Sequence, residues 1–205
     1  VLLDALEHNE TKPASHDFGR DIIPSLLRTR RVLAYNFLEN EIPGIKPYEE
    51  RGYWRDVGTL DAYWQAHMDL LGETPIFDLR NSEWPILTDK YDGPATSLVR
   101  SELDDVMVGQ GTQVIDAKIR RSVIGRHVLI EHGAQIEESV IMDGTVIGSK
   151  ARLRRVVADR FNVIAGGTDI GFDSEKDRKK HHVTKSGLVV LPRGPADHVQ
   201  IAHFK

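Results

Sequence analysis

The sequence contains no cysteine, which excludes disulfides, zinc–thiolate sites and thiol nucleophiles. It has no apolar run of about 18 residues, so no transmembrane helix is predicted. It also lacks an excess of positive charge, because 27 Lys and Arg face 31 Asp and Glu for a net charge of −4. That balance argues against a general nucleic-acid binder, which is usually basic. The composition predicts a cytoplasmic protein that binds neither nucleic acid nor a membrane.

The start of the chain lacks both an initiator Met and the basic flank of a signal peptide. It opens on an apolar run in which Leu2, Leu3 and Leu6 recur at helical spacing. We therefore expect the chain to begin inside a longer polypeptide.

An internal repeat begins near residue 99, where aliphatic residues recur about every six positions. Aligned on itself at an offset of 17, segment 121–124 recurs as 138–141 and, more loosely, as 155–158. Further columns fall in phase: Leu129, Val146 and Val163; Ile119, Ile136, Leu153 and Ile170; Ala117, Ala134, Ala151 and Thr168. Neither an α-helix nor a coiled coil has this period. The pattern predicts a parallel β-helix of short strands, with inward aliphatic stacks and glycines such as Gly133 and Gly167 at its corners.

Ahead of the repeat, the sequence mixes helix-like and strand-like patterns. The clearest helix is predicted over 60–71, with Thr59 as its N-cap and Gly72 as its stop. A short strand is predicted over 32–37. If the partners of this region lie outside the chain, much of the apolar stripe of helix 60–71 should be exposed.

The intervening residues 73–98 show no sustained period and contain Pro75, Pro85 and Pro94. Such a composition is typical of an interdomain linker. The sequence therefore predicts three parts: an α/β region over 1–72, a linker over 73–98 and a β-helix over 99–205.

Taken one at a time, the polar and aromatic residues of the first region have ordinary structural explanations. Asp17 is most simply the N-cap of a short helix, and Asp56 a turn or helix-entry residue. Phe18 and Trp54 are by default core residues. A basic cluster is either a solvated face or an anion site, because guanidinium groups suit phosphate geometry. The cluster consists of Arg152, Arg154, Arg155 and Arg160.

Two motifs carry a resemblance to a known family. Residues 15–19 (SHDFG) precede an Ile-Ile-Pro segment at 22–24, and residues 53–59 (YWRDVGT) precede DAYW at 61–64. They resemble the C-terminal portion of bacterial glucose-1-phosphate adenylyltransferases, the ADP-glucose pyrophosphorylases. The resemblance implies an α/β remnant of a Rossmann-like nucleotidyltransferase domain, followed by a left-handed parallel β-helix of the hexapeptide type.

The resemblance also implies a chemistry and residues that serve it. In this family ATP and glucose 1-phosphate give ADP-glucose and pyrophosphate for glycogen biosynthesis, with Mg²⁺ as the cofactor. Asp56 corresponds to a catalytic magnesium ligand, and Asp17, Phe18 and Trp54 to the glucose 1-phosphate pocket. The Gly-rich loop for the ATP triphosphate has no counterpart in this sequence. The resemblance therefore implies that this chain is inactive by itself.

Regulation and assembly are implied in the same way. Arg160 and Arg193 correspond to an allosteric site for a small anionic or phosphorylated effector. A further basic residue of the family's tail corresponds to Asp197 here, a reversal of charge. Members of the family are homotetramers, so the resemblance implies a homo-oligomer.

Two alternatives remain open at the level of sequence. A hexapeptide-repeat acyltransferase would use a histidine on a coil turn, such as His127 or His132, as its general base. The YWRDVGT segment has no place in that class. The other alternative is a non-catalytic regulatory or assembly module of a sugar-nucleotide pyrophosphorylase.

Overall fold

The computed structural model describes residues 1–10, 17–88 and 90–195, and the chain forms two compact units, Val1–Glu41 and Ile42–Lys205. The first unit is helical. Its elements are α1 (Leu2–Glu10), a π-helical turn (Phe18–Ile22) that continues into α2 (Ile23–Leu27), and a 3₁₀ turn (Phe37–Glu39). The strand predicted over 32–37 is wrong, because residues 32–36 join no ladder within the described part of this unit. A lone extended segment without a neighbouring strand edge gains no ladder hydrogen bonds.

The second unit combines one longer helix with a stack of short strands. The helix, α3, spans Leu60–Met68, and a short helix, α4, spans Ser174–Arg178. The strands are β1 (Ser97–Val99), β2 (Glu102–Val108), β3 (Gln113–Ile115), β4 (Lys118–Ile124), β5 (Leu129–Ile130), β6 (Gln135–Glu137), β7 (Val140–Ile141), β8 (Val146–Ile147), β9 (Arg152–Arg154), β10 (Val156–Ala158), β11 (Val163–Ile164), β12 (Asp169–Ile170), β13 (His182–Val183) and β14 (Val189–Leu191). No helix among the described residues has the length and apolar content needed to cross a membrane.

The strands pair in parallel from coil to coil and form three walls of a β-helix. The first wall is β1, β3, β5, β8 and β11, in that order. The second contains the first halves of β2 and β4, followed by β6, β9 and β12, and the third contains their second halves, followed by β7, β10 and β14. Val123 pairs with Val140 and Val140 with Val157, which confirms the predicted offset of 17. The predicted parallel β-helix is confirmed.

On the first wall, the first two coil steps are one residue shorter than that offset. Ser97 pairs with Gln113 and Gln113 with Leu129, offsets of 16. The offset of 17 begins where Lys118 pairs with Gln135. The residue that lengthens the repeat from 16 to 17 therefore first appears in the segment after Leu129.

Each wall contributes an inward stack of apolar side chains to the core. The stacks are Val114, Ile130, Ile147 and Ile164; Ile119, Ile136, Leu153 and Ile170; and Ile124, Ile141, Ala158 and Leu191, all buried. Polar groups inside the core are hydrogen-bonded: Ser139 N donates to Ser122 Oγ at 3.1 Å, and Val156 N donates to Ser139 Oγ at 3.1 Å. Burial of these hydroxyls therefore leaves no unmet hydrogen bond at the corner.

The corners repeat a left-handed backbone conformation whether or not a glycine occupies them. One corner column has positive φ at Asp116, Gly133, Lys150 and Gly167; another has it at Arg121, Glu138 and Arg155. The closure of each coil imposes this conformation. At some levels a glycine adopts it without strain, and at others a residue with a side chain adopts it at a cost.

We expect Gly167→Ala to lower the free energy of unfolding by about 1 kcal/mol, because its φ of +69° disfavours a Cβ. An added Cβ would meet no atom within 4 Å, so the substitution isolates the backbone cost. Lys150→Ala, in the same corner column, keeps a Cβ and should change stability by less than about 0.5 kcal/mol. Urea unfolding of both variants makes the comparison, and equal effects would contradict the proposed corner strain.

α3 packs against the outward side of the third wall. Met68 is 3% and Leu71 8% exposed, and both pack with Val140, Val157 and Leu188. The prediction that much of this stripe would be exposed is therefore wrong, because the β-helix itself covers it. Thr59 caps the helix as predicted, but the helix ends at Met68, earlier than the predicted 60–71.

Three polar contacts fix α3 along the β-helix axis. Near its start, Asp61 accepts hydrogen bonds from the turn between β13 and β14. In the middle, Trp64 Nε1 donates to the carbonyl of Glu138 at 2.8 Å. Beyond its end, Gly72 N donates to Asp105 Oδ1, beside the first coil. From Asp61 to Gly72, α3 and the turn that follows it therefore reach from the coil level of the turn between β13 and β14 to that of Asp105 in the first coil.

The two compact units divide the chain after residue 41. In the second unit, residues 63–71 pack on the β-helix, and Pro43 and Glu49 accept hydrogen bonds from Asn81 and from the backbone N of Asp78. This division is based on packing, whereas the predicted parts 1–72, 73–98 and 99–205 are based on resemblance to a family and on the sequence pattern. Those boundaries stay a prediction.

Candidate substrate segment and anion site

Residues 53–59, here called the substrate segment, lead directly into α3. Thr59 closes the segment as the N-cap of α3, accepting a hydrogen bond from Ala62 N at 3.1 Å. Tyr53 and Arg55 are half-buried, whereas Trp54 is 69% exposed and Asp56 is exposed. Alternation along an extended backbone explains this pattern. Two side chains anchor the segment and the two between them face solvent.

Arg55 is the main anchor. Its Nε donates to Asp69 Oδ2 at 3.0 Å, its Nη2 to Glu50 Oε2 at 2.6 Å, and its Nη1 to the carbonyl of Trp54 at 3.1 Å. Its guanidinium also lies over the Tyr53 ring, 4.5 Å from the centroid. The hydrogen bond from Arg55 lowers the pKa of Glu50. This planar fork therefore holds the carbonyl of Trp54 and packs on the ring of Tyr53.

Asp69, 4% exposed, is the acceptor at which these contacts meet. Its side chain also accepts from Gln65 Nε2 at 2.9 Å and from the Tyr53 hydroxyl at 3.3 Å. Tyr53 stacks on Phe77 with a centroid separation of 4.8 Å and an angle of 3°. Burial and then the charge of Asp69 raise the pKa of Tyr53. The carboxylate thus ties the substrate segment to the end of α3.

Asp17 and Phe18 lie in the first unit, and Trp54 and Asp56 in the second. Asp17 is the N-cap of the π-helical turn: its Oδ1 accepts from Arg20 N at 2.8 Å, and its own N donates to Asp21 Oδ2 at 3.0 Å. Phe18 is 51% exposed. The Ser15 and His16 that precede them in the motif lie outside the described residues.

Arg160 and Arg193, here called the anion site, are brought together by the last coils. Gly194 N donates to the carbonyl of Arg160 at 2.9 Å, and Asp159 N donates to the carbonyl of Leu191 at 3.0 Å. Both arginines are exposed. Arg193 lies over the Phe161 ring at 5.0 Å, and Arg160 Nε is 3.7 Å from Asp159 Oδ1. Asp197 lies outside the described residues.

Comparison with known proteins connects these two sites to one family. A nucleotidyl transferase model matches residues 1–73, and a GlmU-like, C-terminal hexapeptide model matches residues 95–191. The glucose-1-phosphate adenylyltransferase of Thermodesulfovibrio yellowstonii is 45% identical over 194 residues, covering 94% of this chain and 47% of the relative. The chain belongs to the glucose-1-phosphate adenylyltransferase family. It spans about half the length of the curated relatives that it matches.

Other family relatives give the same coverage. The glucose-1-phosphate adenylyltransferase of Photobacterium profundum is 41% identical over 200 residues, covering 95% of this chain and 49% of the relative. That of Corynebacterium diphtheriae is 40% identical over 194 residues, covering 93% and 45%. Similarity therefore extends through both the substrate segment and the β-helix.

Asp56, the residue expected to bind magnesium, is an exposed carboxylate of the substrate segment. Its Oδ1 accepts from Gly58 N at 2.9 Å, while its Oδ2 has no hydrogen bond within the described part of the chain. No group of three or more His, Asp or Glu among residues 1–10, 17–88 and 90–195 is arranged to hold a metal ion. Magnesium keeps several waters and needs only one or two protein carboxylates, so a single exposed carboxylate is compatible with it.

The other basic residues of the cluster are engaged within the β-helix. Arg152 pairs with Asp169, its Nε donating at 2.7 Å, and Arg152 and Arg154 both lie over the Phe172 ring. Arg155 lies 4.5 Å from the centroid of the Trp64 ring. These three therefore contact side chains of their own chain, as Arg160 and Arg193 also do.

The two histidines considered for acyl transfer occupy corners. His127 packs on the Tyr91 ring at 5.1 Å, and His132 pairs through Nδ1 with Asp116 Oδ2. Neither histidine belongs to the substrate segment.

The sequence analysis missed Arg55, Asp69 and Asp61, which position the exposed residues. For Arg55 a signal was available, because alternation along residues 53–56 places it on the same side of the segment as Tyr53. Gln65 and Asp69 are also spaced at i and i+4, as side chains on one helical face are. For Asp61 no local signal exists, because its partners lie more than a hundred residues away.

Proposed function

We propose that the chain forms part of an enzyme that joins ATP and glucose 1-phosphate to give ADP-glucose and pyrophosphate for glycogen synthesis. The observation that carries the proposal is the exposed pair Trp54 and Asp56, on a segment that Arg55 anchors through the carbonyl of Trp54 and through Asp69. A site of this kind needs its reactive groups preset, since phosphoryl chemistry depends mainly on positioning and charge. Residues of the enzyme beyond this chain would supply the triphosphate loop.

Each residue has a separate role in the proposal. Trp54 and Phe18 offer aromatic faces to the pyranose ring, and Asp17 accepts a hydrogen bond from a sugar hydroxyl. Asp56 would hold Mg²⁺ through Oδ2, and the bound ion would offset the negative charge of the phosphates. Gly58 N fixes the orientation of the Asp56 carboxylate by its hydrogen bond to Oδ1.

The anion site extends the proposal to regulation. Two exposed guanidinium groups on adjacent coil segments suit a phosphorylated or otherwise anionic effector. We also propose a cytoplasmic homotetramer, which light scattering tests directly. Exposed apolar side chains such as Leu98, 52% exposed, and Val99, 38% exposed, are available for subunit contacts.

The activity is tested by mixing two polypeptides and measuring pyrophosphate release from ATP and glucose 1-phosphate. One is this chain, and the other is the part of the Thermodesulfovibrio yellowstonii relative that the chain does not span. We expect no activity from this chain alone and activity on mixing. Asp56→Asn should lower the activity of the mixture about 100-fold or more, the loss typical of removing one charge-stabilising group.

The control is Asp104→Asn, an exposed carboxylate on β2 that should leave the activity unchanged. Pyrophosphate release by this chain alone would contradict the expected division of the site. A folded, oligomeric mixture without activity would instead favour the regulatory or assembly module.

A further inference from the structure

The turn between β13 and β14 holds the start of α3 through hydroxyl groups. Thr184 Oγ1 donates to Asp61 Oδ1 at 3.0 Å, and Ser186 Oγ donates to the same oxygen. The two hydroxyls are themselves 3.0 Å apart, and Thr184 is 8% exposed. These three residues are here called the latch.

The latch lies between the two candidate sites. On the α3 side, Asp61 is two residues from Thr59, the cap that ends the substrate segment. On the other side, the turn runs directly into β14, and β14 runs through Leu191 to the anion site two residues later. A change in the position of β14 therefore has a short hydrogen-bonded route to the substrate segment.

The apolar cluster also joins α3 to the segments that lead to the anion site. Tyr63, one helical turn after Thr59, packs in that cluster with Val157 and Leu188. Val157 precedes Arg160 by three residues, and Leu188 directly precedes β14. Burial first, and then the charge of Asp159, raise the pKa of Tyr63, with a smaller opposing effect of Arg160.

We propose that the latch transmits anion binding at the anion site to the substrate segment, and that its three residues are positioning residues for substrate binding. The inference rests on the proposed function, because it assumes that the anion site binds an anion. An anion held by both guanidinium groups draws β14 and the preceding coil together. The latch then restrains the start of α3, and with it Trp54 and Asp56.

Hydrogen exchange of the full chain, with inorganic phosphate as the probe, tests this. In the unmodified protein, phosphate should slow exchange in residues 187–195 and in residues 53–62. Asp61→Ala removes the acceptor, so phosphate should still slow exchange in 187–195 but not in 53–62. Without phosphate, the same variant should exchange about 30-fold faster in 53–62, the factor expected for the loss of two ordinary hydrogen bonds.

Asp61→Asn is the matched control, because its Oδ1 still accepts from both hydroxyls, and it should behave like the unmodified protein. Unchanged exchange in residues 113–147 shows that Asp61→Ala keeps the β-helix folded. Phosphate protection of 53–62 that survives Asp61→Ala, or that is missing in the unmodified protein while 187–195 is protected, would overturn the latch. Protection of neither region would instead overturn the anion site itself, and with it the transmission.

Discussion

Val157→Asp should detach α3 from the β-helix and lower the free energy of unfolding by about 3 kcal/mol or more. Val157 lies on the outward side of its strand, between the inward Val156 and Ala158, yet it is only 3% exposed. It is buried because Met68 and Leu71 cover it. A carboxylate there would be desolvated with no cation in the cluster to compensate it.

Val163→Asp is the matched control. Val163 is also an outward valine of a coil strand, but it is 62% exposed, so the change should alter stability by less than about 0.5 kcal/mol. Urea unfolding gives the two free energies, and hydrogen exchange in residues 60–71 reports release of the helix. Equal effects at the two positions would show that α3 does not cover the third wall in solution.

Asp69→Ala should disorder the substrate segment and destabilise the second unit by about 3 kcal/mol, the cost of breaking a buried charge pair. The variant would leave Arg55 without its buried acceptor and Gln65 and Tyr53 without theirs. Arg55 would retain Glu50, which lies on the surface and is therefore a weak partner.

Hydrogen exchange in residues 50–59 and urea unfolding measure the two parts of this expectation. Asp104→Ala removes an exposed carboxylate of the same unit and should leave both unchanged. Faster exchange in 50–59 with the β-helix peptides unaffected would show that Asp69 organises the segment locally. An unchanged segment would contradict the role of Arg55 and Asp69 in presenting Trp54 and Asp56.

The substrate segment and the anion site are both connected to α3, although different parts of the sequence indicated them. The helix carries the first at its N-terminus and lies along the wall that ends in β14 beside the second. Its three polar contacts belong to different coil levels, at Asp105, Glu138 and the latch. A single rigid element therefore links the coils to the residues proposed to contact substrate.

The β-helix could be predicted from the sequence because its physics repeats. Each coil must place an aliphatic side chain over the last, so Ile119, Ile136, Leu153 and Ile170 recur at a fixed offset. The exposure of Trp54 was not predicted from the residue alone, because a tryptophan is by default a core residue, yet Trp54 is 69% exposed. The corners were only partly predictable, since Gly133 signals positive φ but Lys150, with the same conformation, does not.

The sequence by itself determined the repeat and the cap at Thr59, because these depend on a fixed period or on immediate neighbours. Only the tertiary structure decided three other contacts. α3 covers Val157, and Asp69 accepts hydrogen bonds from Arg55 and Tyr53. Asp61 accepts hydrogen bonds from the turn between β13 and β14. Those contacts join residues far apart in the chain. They depend on the shape of the assembled wall, which no local pattern specifies.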